Sequence, residues 1–138
     1  VQEVYLHRYC NGLCDYLIAL YADVGKEILC DVCGVDLSLR IEKALPLALI
    51  INELVSNSLM HAFPDRQDGT VGIFFERQHD ESITMTVSDN GIGFDWKSTE
   101  YDSFGFEMIN ALVEQLEGSV VIESNDTGSR VTVRFPAD

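Results

Sequence analysis

Glu53, Asn57 and His61 recur every four residues through an apolar stretch. On a helix that spacing stacks a carboxylate, a carboxamide and an imidazole along one face. The first two offer oxygen ligands for Mg²⁺ and a base that can orient a nucleophile. A solvated stripe on a surface helix has the same spacing. A second cluster is Asp89-Asn90-Gly91-Ile92-Gly93-Phe94, which follows a strand-like run. The strand delivers Asp89 to its own end, and the glycines allow positive φ and close approach of a ligand. A carboxylate there can accept a hydrogen bond from an amino group such as that of adenine. An ordinary Asp-Asn-Gly turn has the same composition. The third cluster, Ser103-Phe104-Gly105-Phe106, precedes a helical pattern. Gly105 at a helix start exposes backbone N–H groups that, with the helix dipole, can seat a phosphate; a plain N-terminal turn is the alternative.

The elements that must position these clusters can be read from periodicity. Leu6, Tyr9, Leu13, Leu17, Leu20 and Tyr21 fall at helical spacing, so residues 2–22 are expected to form an amphipathic leading helix. Residues 26–33 read as a strand. Pro46 is expected to open an apolar helix over residues 46–62, buried through Leu47, Ile50, Ile51, Leu54 and Val55 and ended by Phe63-Pro64-Asp65. Residues 70–77 and 82–88 read as a hairpin with a tight connection at 78–81. Residues 96–103 are polar, like a mobile loop. A helix is expected over residues 104–116, stopped by Gly118, and a last hairpin over 119–124 and 130–135 turns at Asn125-Asp126-Thr127-Gly128. This order predicts an α+β fold: a two-layer α/β sandwich with a mixed, mostly antiparallel sheet and helices on one face.

The composition restricts the function. The chain has 138 residues, 46% hydrophobic and 23% charged, which fits one globular domain. Its longest apolar run, residues 44–51, contains Pro46, and a spanning helix needs roughly twenty apolar residues. No signal-peptide pattern opens the sequence. The chain starts without Met inside a helical pattern and reads as a single domain, residues 1–138, excised from a larger protein. A net charge of -14 argues against nucleic acid and against contact with an anionic membrane. An anionic nucleotide would need a metal ion and local donors to offset that field. Cys30 and Cys33 have metal-knuckle spacing, but a strand points them to opposite faces; reduced thiols are expected at all four cysteines.

Taken together, in this order, the three clusters resemble the ATP-binding domain shared by histidine kinases, Hsp90, type II topoisomerases and the MutL mismatch-repair proteins, the Bergerat or GHKL superfamily. Residues 52–64, ending in His61-Ala62-Phe63-Pro64, resemble its N box. Residues 89–94 resemble the first glycine box and residues 103–106 the second. Residues 112–118 and 128–136 are similar to the histidine-kinase branch, and the N box is nearest to the HisKA_2 or HWE-related kinases.

The resemblance implies roles. Asn57 would ligate Mg²⁺ bridging the ATP phosphates. Glu53 sits where related ATPases keep a water-activating base, and here would polarise or orient; His61 joins them as a catalytic candidate. Asp89 would bind the adenine amino group, with Ser129 beside it where Thr is usual. Gly91, Gly93 and Phe94 would shape the turn, residues 95–104 the lid, and Phe104, Gly105 and Phe106 the phosphate side. Met60 departs from the Lys that many kinases keep near the γ-phosphate, and the phenylalanine pair departs from Gly and Leu. His61, Arg66 and Lys97 are candidate substitute cations. The implied activity is that of a protein-histidine kinase in a cytoplasmic two-component system. The γ-phosphoryl of Mg-ATP would go to a His on a separate dimerisation domain of the same, homodimeric protein, and then to a response regulator. His7 and His79 do not resemble an acceptor. The alternatives are an anti-sigma-type protein Ser kinase and a degenerate interaction module.

Overall fold

The computed structural model describes residues 2–22, 25–93 and 103–137, with Ser103 and Phe104 described in backbone only. Strand β1 (Glu3–Tyr5) leads into helix α1 (Leu6–Tyr21), followed by β2 (Glu27–Gly34) and β3 (Ser38–Arg40). Helix α2 (Ile41–His61) precedes the hairpin of β4 (Asp68–Arg77) and β5 (Ser82–Asp89). Helix α3 (Ser103–Gln115) precedes the hairpin of β6 (Ser119–Asn125) and β7 (Gly128–Pro136). The main sheet has the order β2-β4-β5-β7-β6; β2 pairs parallel to β4 and every other pair is antiparallel.

Alternation sets the layers. Val71, Ile73 and Phe75 of β4, Ile83, Met85 and Val87 of β5, and Val131, Val133 and Phe135 of β7 are all buried. Side chains two apart share a face, so these nine form one apolar sheet surface. Three helical stripes cover it: Leu6, Cys10, Cys14 and Leu17 from α1; Leu47, Ile50, Ile51 and Leu54 from α2; and Ile109 and Val113 from α3. Each fully buried Leu or Ile contributes roughly 1.5–3 kcal/mol, so this single core holds α2 and α3 against the sheet. The fold is the expected two-layer α/β sandwich.

Three local expectations are corrected. The leading helix does not begin at residue 2: Glu3–Tyr5 pairs antiparallel with Ser38–Arg40 in a separate two-stranded sheet, and the helix starts at Leu6. Helix α2 begins at Ile41, ahead of Pro46, which is buried inside it. In the second turn a proline forgoes only the bond to the Glu42 carbonyl, so the helix runs through. It ends where Phe63 precedes Pro64, a position that disfavours helical backbone. At the end of α3 the left-handed residue is Glu117, with φ 59°, and not Gly118. Glu117 N–H donates to Glu114 O at 2.9 Å and Gly118 N–H to Val113 O at 3.0 Å, a Schellman motif. A Cβ at Gly118 would press on the Arg134 carbonyl, so glycine serves close approach there.

The cysteines are also corrected. Cys14 of α1 and Cys30 of β2 are joined as a disulfide with Cα atoms 6.2 Å apart, which leaves Cys10 and Cys33 as the free thiols. Cys10 is buried, and that desolvation pushes its thiol up to about 12. Among the described residues no helix is long and apolar enough to cross a membrane.

Candidate functional site

Register builds the site. In the β5–β7 ladder Asp89 faces Ser129 and Val87 faces Val131, so one polar pair and one apolar pair lie side by side. Helix α2 crosses above them. The Ser129 hydroxyl donates to Asp89 Oδ2 at 2.7 Å, and the Ser58 hydroxyl of α2 donates to the same oxygen at 2.7 Å. Both serines are buried. The other oxygen, Oδ1, accepts the Gly91 N–H at 3.0 Å. Three elements therefore fix the rotamer of one carboxylate, and Oδ1 keeps a lone pair.

The turn after Asp89 is fastened to β4 and to the end of α2. Asn90 Oδ1 accepts the Thr70 N–H at 2.8 Å, and the Ile92 N–H donates to Ala62 O at 2.9 Å. Gly91 packs so closely on Ala62 that a Cβ would collide with its carbonyl. Gly93 lies at φ 75°, the left-handed region that favours glycine.

A cleft opens beside this turn. It is lined by Leu54, Asn57, Ser58, Ala62, Val87, Asp89, Gly93, Phe106, Ser129 and Val131. Apolar walls with a few convergent polar groups are what a planar heterocycle requires. Leu54, Val87, Val131 and Phe106 supply the walls, and Asp89 supplies an acceptor for an amino group.

Of the residues singled out from sequence, the cleft brings together Asn57, Asp89, Gly93, Phe106 and Ser129. Glu53, His61, Gly91 and Gly105 do not line it. Glu53 is half-buried one turn before Asn57, and His61 is exposed at the last residue of α2. Gly91 backs the turn, and Gly105 is buried in the first turn of α3. Phe94 and Lys97 lie outside the described residues, as does the lid expected at residues 95–104 except for Ser103 and Phe104, which α3 includes as backbone. Among the candidate cations, Arg66 donates to the Asn90 carbonyl and lies over the Phe63 ring. His7, in the first turn of α1, has Nε2 3.1 Å from Val35 O and its ring beside Phe75.

Sequence reasoning missed Ser58, Leu54, Ala62, Val87 and Val131. The signal was present: Leu54, Ser58 and Ala62 also recur every four residues, one position beyond the Glu53, Asn57 and His61 stripe. Helix α2 turns this second stripe, together with Asn57, toward the cleft. Val87 and Val131 sit two residues from Asp89 and Ser129 and share their sheet face.

The fold is an α/β sandwich with one cleft built around a held carboxylate. Residues 42–138 match the model of the family described as histidine kinase-, DNA gyrase B- and HSP90-like ATPases, and the chain belongs to that family. It is 31% identical over 125 residues to the sensor histidine kinase PdtaS of Mycobacterium tuberculosis, covering 79% of this chain and 25% of that protein. It is 29% identical over 100 residues to blue-light-activated histidine kinase 2 of Erythrobacter litoralis, covering 70% of this chain and 28% of that one. The chain thus spans only about a quarter of the length of these relatives. An anti-sigma F factor of Clostridium beijerinckii is 27% identical over 96 residues, covering 61% of this chain and 64% of the factor. Among solved structures, the histidine kinase domain of the Erythrobacter litoralis EL346 blue-light-activated kinase superposes with a TM-score of 0.84 at 23% identity, covering 97% of this chain and 62% of that one. The likeness shows the fold.

Proposed function

We propose that this chain is the catalytic domain of a two-component sensor histidine kinase, and that it binds Mg-ATP and passes the γ-phosphoryl to a His on a separate dimerisation domain. The observation that carries the reading is the cleft in which Asp89, held by Ser58, Ser129 and Gly91, shares one cavity with Asn57. The residues present fit the ligand. Asp89 Oδ1 accepts the adenine 6-amino group, and Leu54, Val87, Val131 and Phe106 take the ring faces. A guanine 6-oxo group would meet the same carboxylate lone pair to lone pair.

Asn57 offers one carboxamide oxygen to Mg²⁺. Among the described residues no group of three or more His, Cys, Asp and Glu side chains could hold a metal. That suits Mg²⁺, which keeps waters and nucleotide phosphates and takes one or two protein ligands. When bound, Mg-ATP supplies the phosphoryl group and the charge neutralisation that its transfer requires. Glu53, one turn before Asn57, would orient the incoming imidazole, and His61, one turn beyond, is the other catalytic candidate on that helix. The chain's contribution is positioning and local electrostatics. Gly105 lies in the first turn of α3, where a helix N-terminus would present backbone N–H groups to phosphate.

The names of the relatives support the histidine-kinase reading, and their greater length supports a parent protein with further domains. That parent is a cytoplasmic-facing homodimer that relays phosphate to a response regulator. The match to an anti-sigma F factor, of which this chain spans a larger share, favours a second reading as a protein Ser kinase. The parent protein, incubated with γ-labelled ATP, separates them. Acid-labile, base-stable phosphate on the protein supports phosphohistidine. Acid-stable phosphoserine on a partner would replace the first reading with the second.

A further inference from the structure

We propose that Arg66 is a positioning residue for adenine recognition, acting through the backbone of the turn that carries Asp89. The inference rests on the nucleotide-site reading above. Arg66 lies in the connection between α2 and β4, half-buried, with its guanidinium carbon 5.6 Å from the centre of the Phe63 ring. Its Nη1 donates to the carbonyl oxygen of Asn90, the residue after Asp89.

That carbonyl completes a set. The Asn90 N–H donates to Thr70 O at 3.2 Å, the Asn90 side chain accepts from Thr70 N–H at 2.8 Å, and the Ile92 N–H donates to Ala62 O at 2.9 Å. Each of these partners lies on the end of α2 or the start of β4. Arg66 is the side chain that takes the Asn90 carbonyl, and its guanidinium lies over the Phe63 ring. Cation–π stacking plus a charge-assisted hydrogen bond fixes a long side chain that would otherwise be free. The turn in question sets both the Gly91 N–H that orients Asp89 Oδ1 and the left-handed Gly93 on the cleft wall. A small rotation of the 90–91 peptide would move the acceptor oxygen off the adenine amino group. The guanidinium is engaged by the Asn90 carbonyl and the Phe63 ring.

The test is calorimetry of ATP, ADP and adenosine against wild type, Arg66→Ala and Arg66→Lys, with a thermal melt of each. Loss of a charged hydrogen bond to a carbonyl corresponds to roughly ten-fold in affinity. Arg66→Ala is expected to weaken all three ligands by that same factor while remaining folded at the assay temperature. Arg66→Lys, which can still donate to the Asn90 carbonyl, is expected to recover most of it. Unchanged affinity in Arg66→Ala overturns the inference. So does a loss confined to ATP and ADP, which would mark a phosphate contact, or a failure of Arg66→Lys to restore binding. If wild type binds none of the three, the nucleotide reading itself fails, and the pattern across ligands tells the two failures apart.

Discussion

Ser129 stands directly opposite Asp89 in the β5–β7 register, and its hydroxyl donates to Asp89 Oδ2 at 2.7 Å. Ser58 reaches the same oxygen from α2 at the same distance. One oxygen of the carboxylate is thereby committed to the protein, and the other, held by the Gly91 N–H, faces the task of recognition. Helix, sheet and turn are locked to each other through this one carboxylate.

Removing either hydroxyl therefore loosens the reader without emptying the cleft. Ser58→Ala and Ser129→Ala each delete one hydrogen bond worth about 1 kcal/mol, so ATP affinity should fall about five-fold in each. The double variant leaves Oδ2 without a donor and should lose more than the two singles combined, because they share one acceptor. Titration of the three variants with ATP checks this; strict additivity would mean that the two hydroxyls act independently of each other and contradict the shared acceptor.

Asn57 lines the cleft but belongs to the metal side of the proposal. Asn57→Ala should weaken Mg-ATP by a hundred-fold or so, within the roughly 10–100-fold range that losing a metal-supporting group costs, yet leave metal-free adenosine nearly untouched. Equal losses for both ligands would assign Asn57 to the base pocket instead.

At the end of α3, Glu117 occupies a left-handed conformation, φ 59°, that a side chain disfavours. Glu117→Gly should raise stability by about 0.5–1 kcal/mol, since glycine adopts that backbone freely. Denaturant unfolding reads the change. Nucleotide affinity should stay at the wild-type value, because the Schellman motif lies outside the cleft.

Acid sensitivity has an identifiable source in the β4–β5 turn. Asp80 accepts from the Ser82 hydroxyl and N–H and from Arg134, and these hold its carboxyl at about 2, below the ordinary 3.8. A depressed folded value favours the ionised native state, so the contribution is present above 3.8 and is lost as pH falls toward 2. The group is fully exposed, so the effect is small and should shrink further in salt. Melting temperature should fall more steeply from pH 4 to pH 2 in wild type than in Asp80→Asn; parallel curves would remove Asp80 from the acid response.

Much of this arrangement was legible before any coordinates. Alternation in residues 70–77 and 82–88 gives the central hairpin because each strand is buried on one face, and a two-fold period cannot be mistaken there. Asn57 stood out because it interrupts an apolar helix face, Asp89 because it ends a strand just before two glycines, and Ser129 only through the family resemblance. Glu3–Tyr5 escaped because a three-residue strand has no period of its own and the helical spacing of α1 ran through it. Ser58 escaped for a geometric reason: the cleft lies across the boundary between two neighbouring stripes of α2, and only tertiary packing decides which one turns inward. The Cys14–Cys30 pair links a helix to a strand, a proximity that sequence spacing does not encode.

The account rests on Asp89 as the reader of adenine, and calorimetry of Mg-ATP with wild type and Asp89→Ala tests it most directly, with a thermal melt of each to monitor folding. Saturable one-site binding to wild type, with no detectable heat for a folded Asp89→Ala, is the predicted result. A folded Asp89→Ala that binds Mg-ATP as tightly as wild type would contradict it.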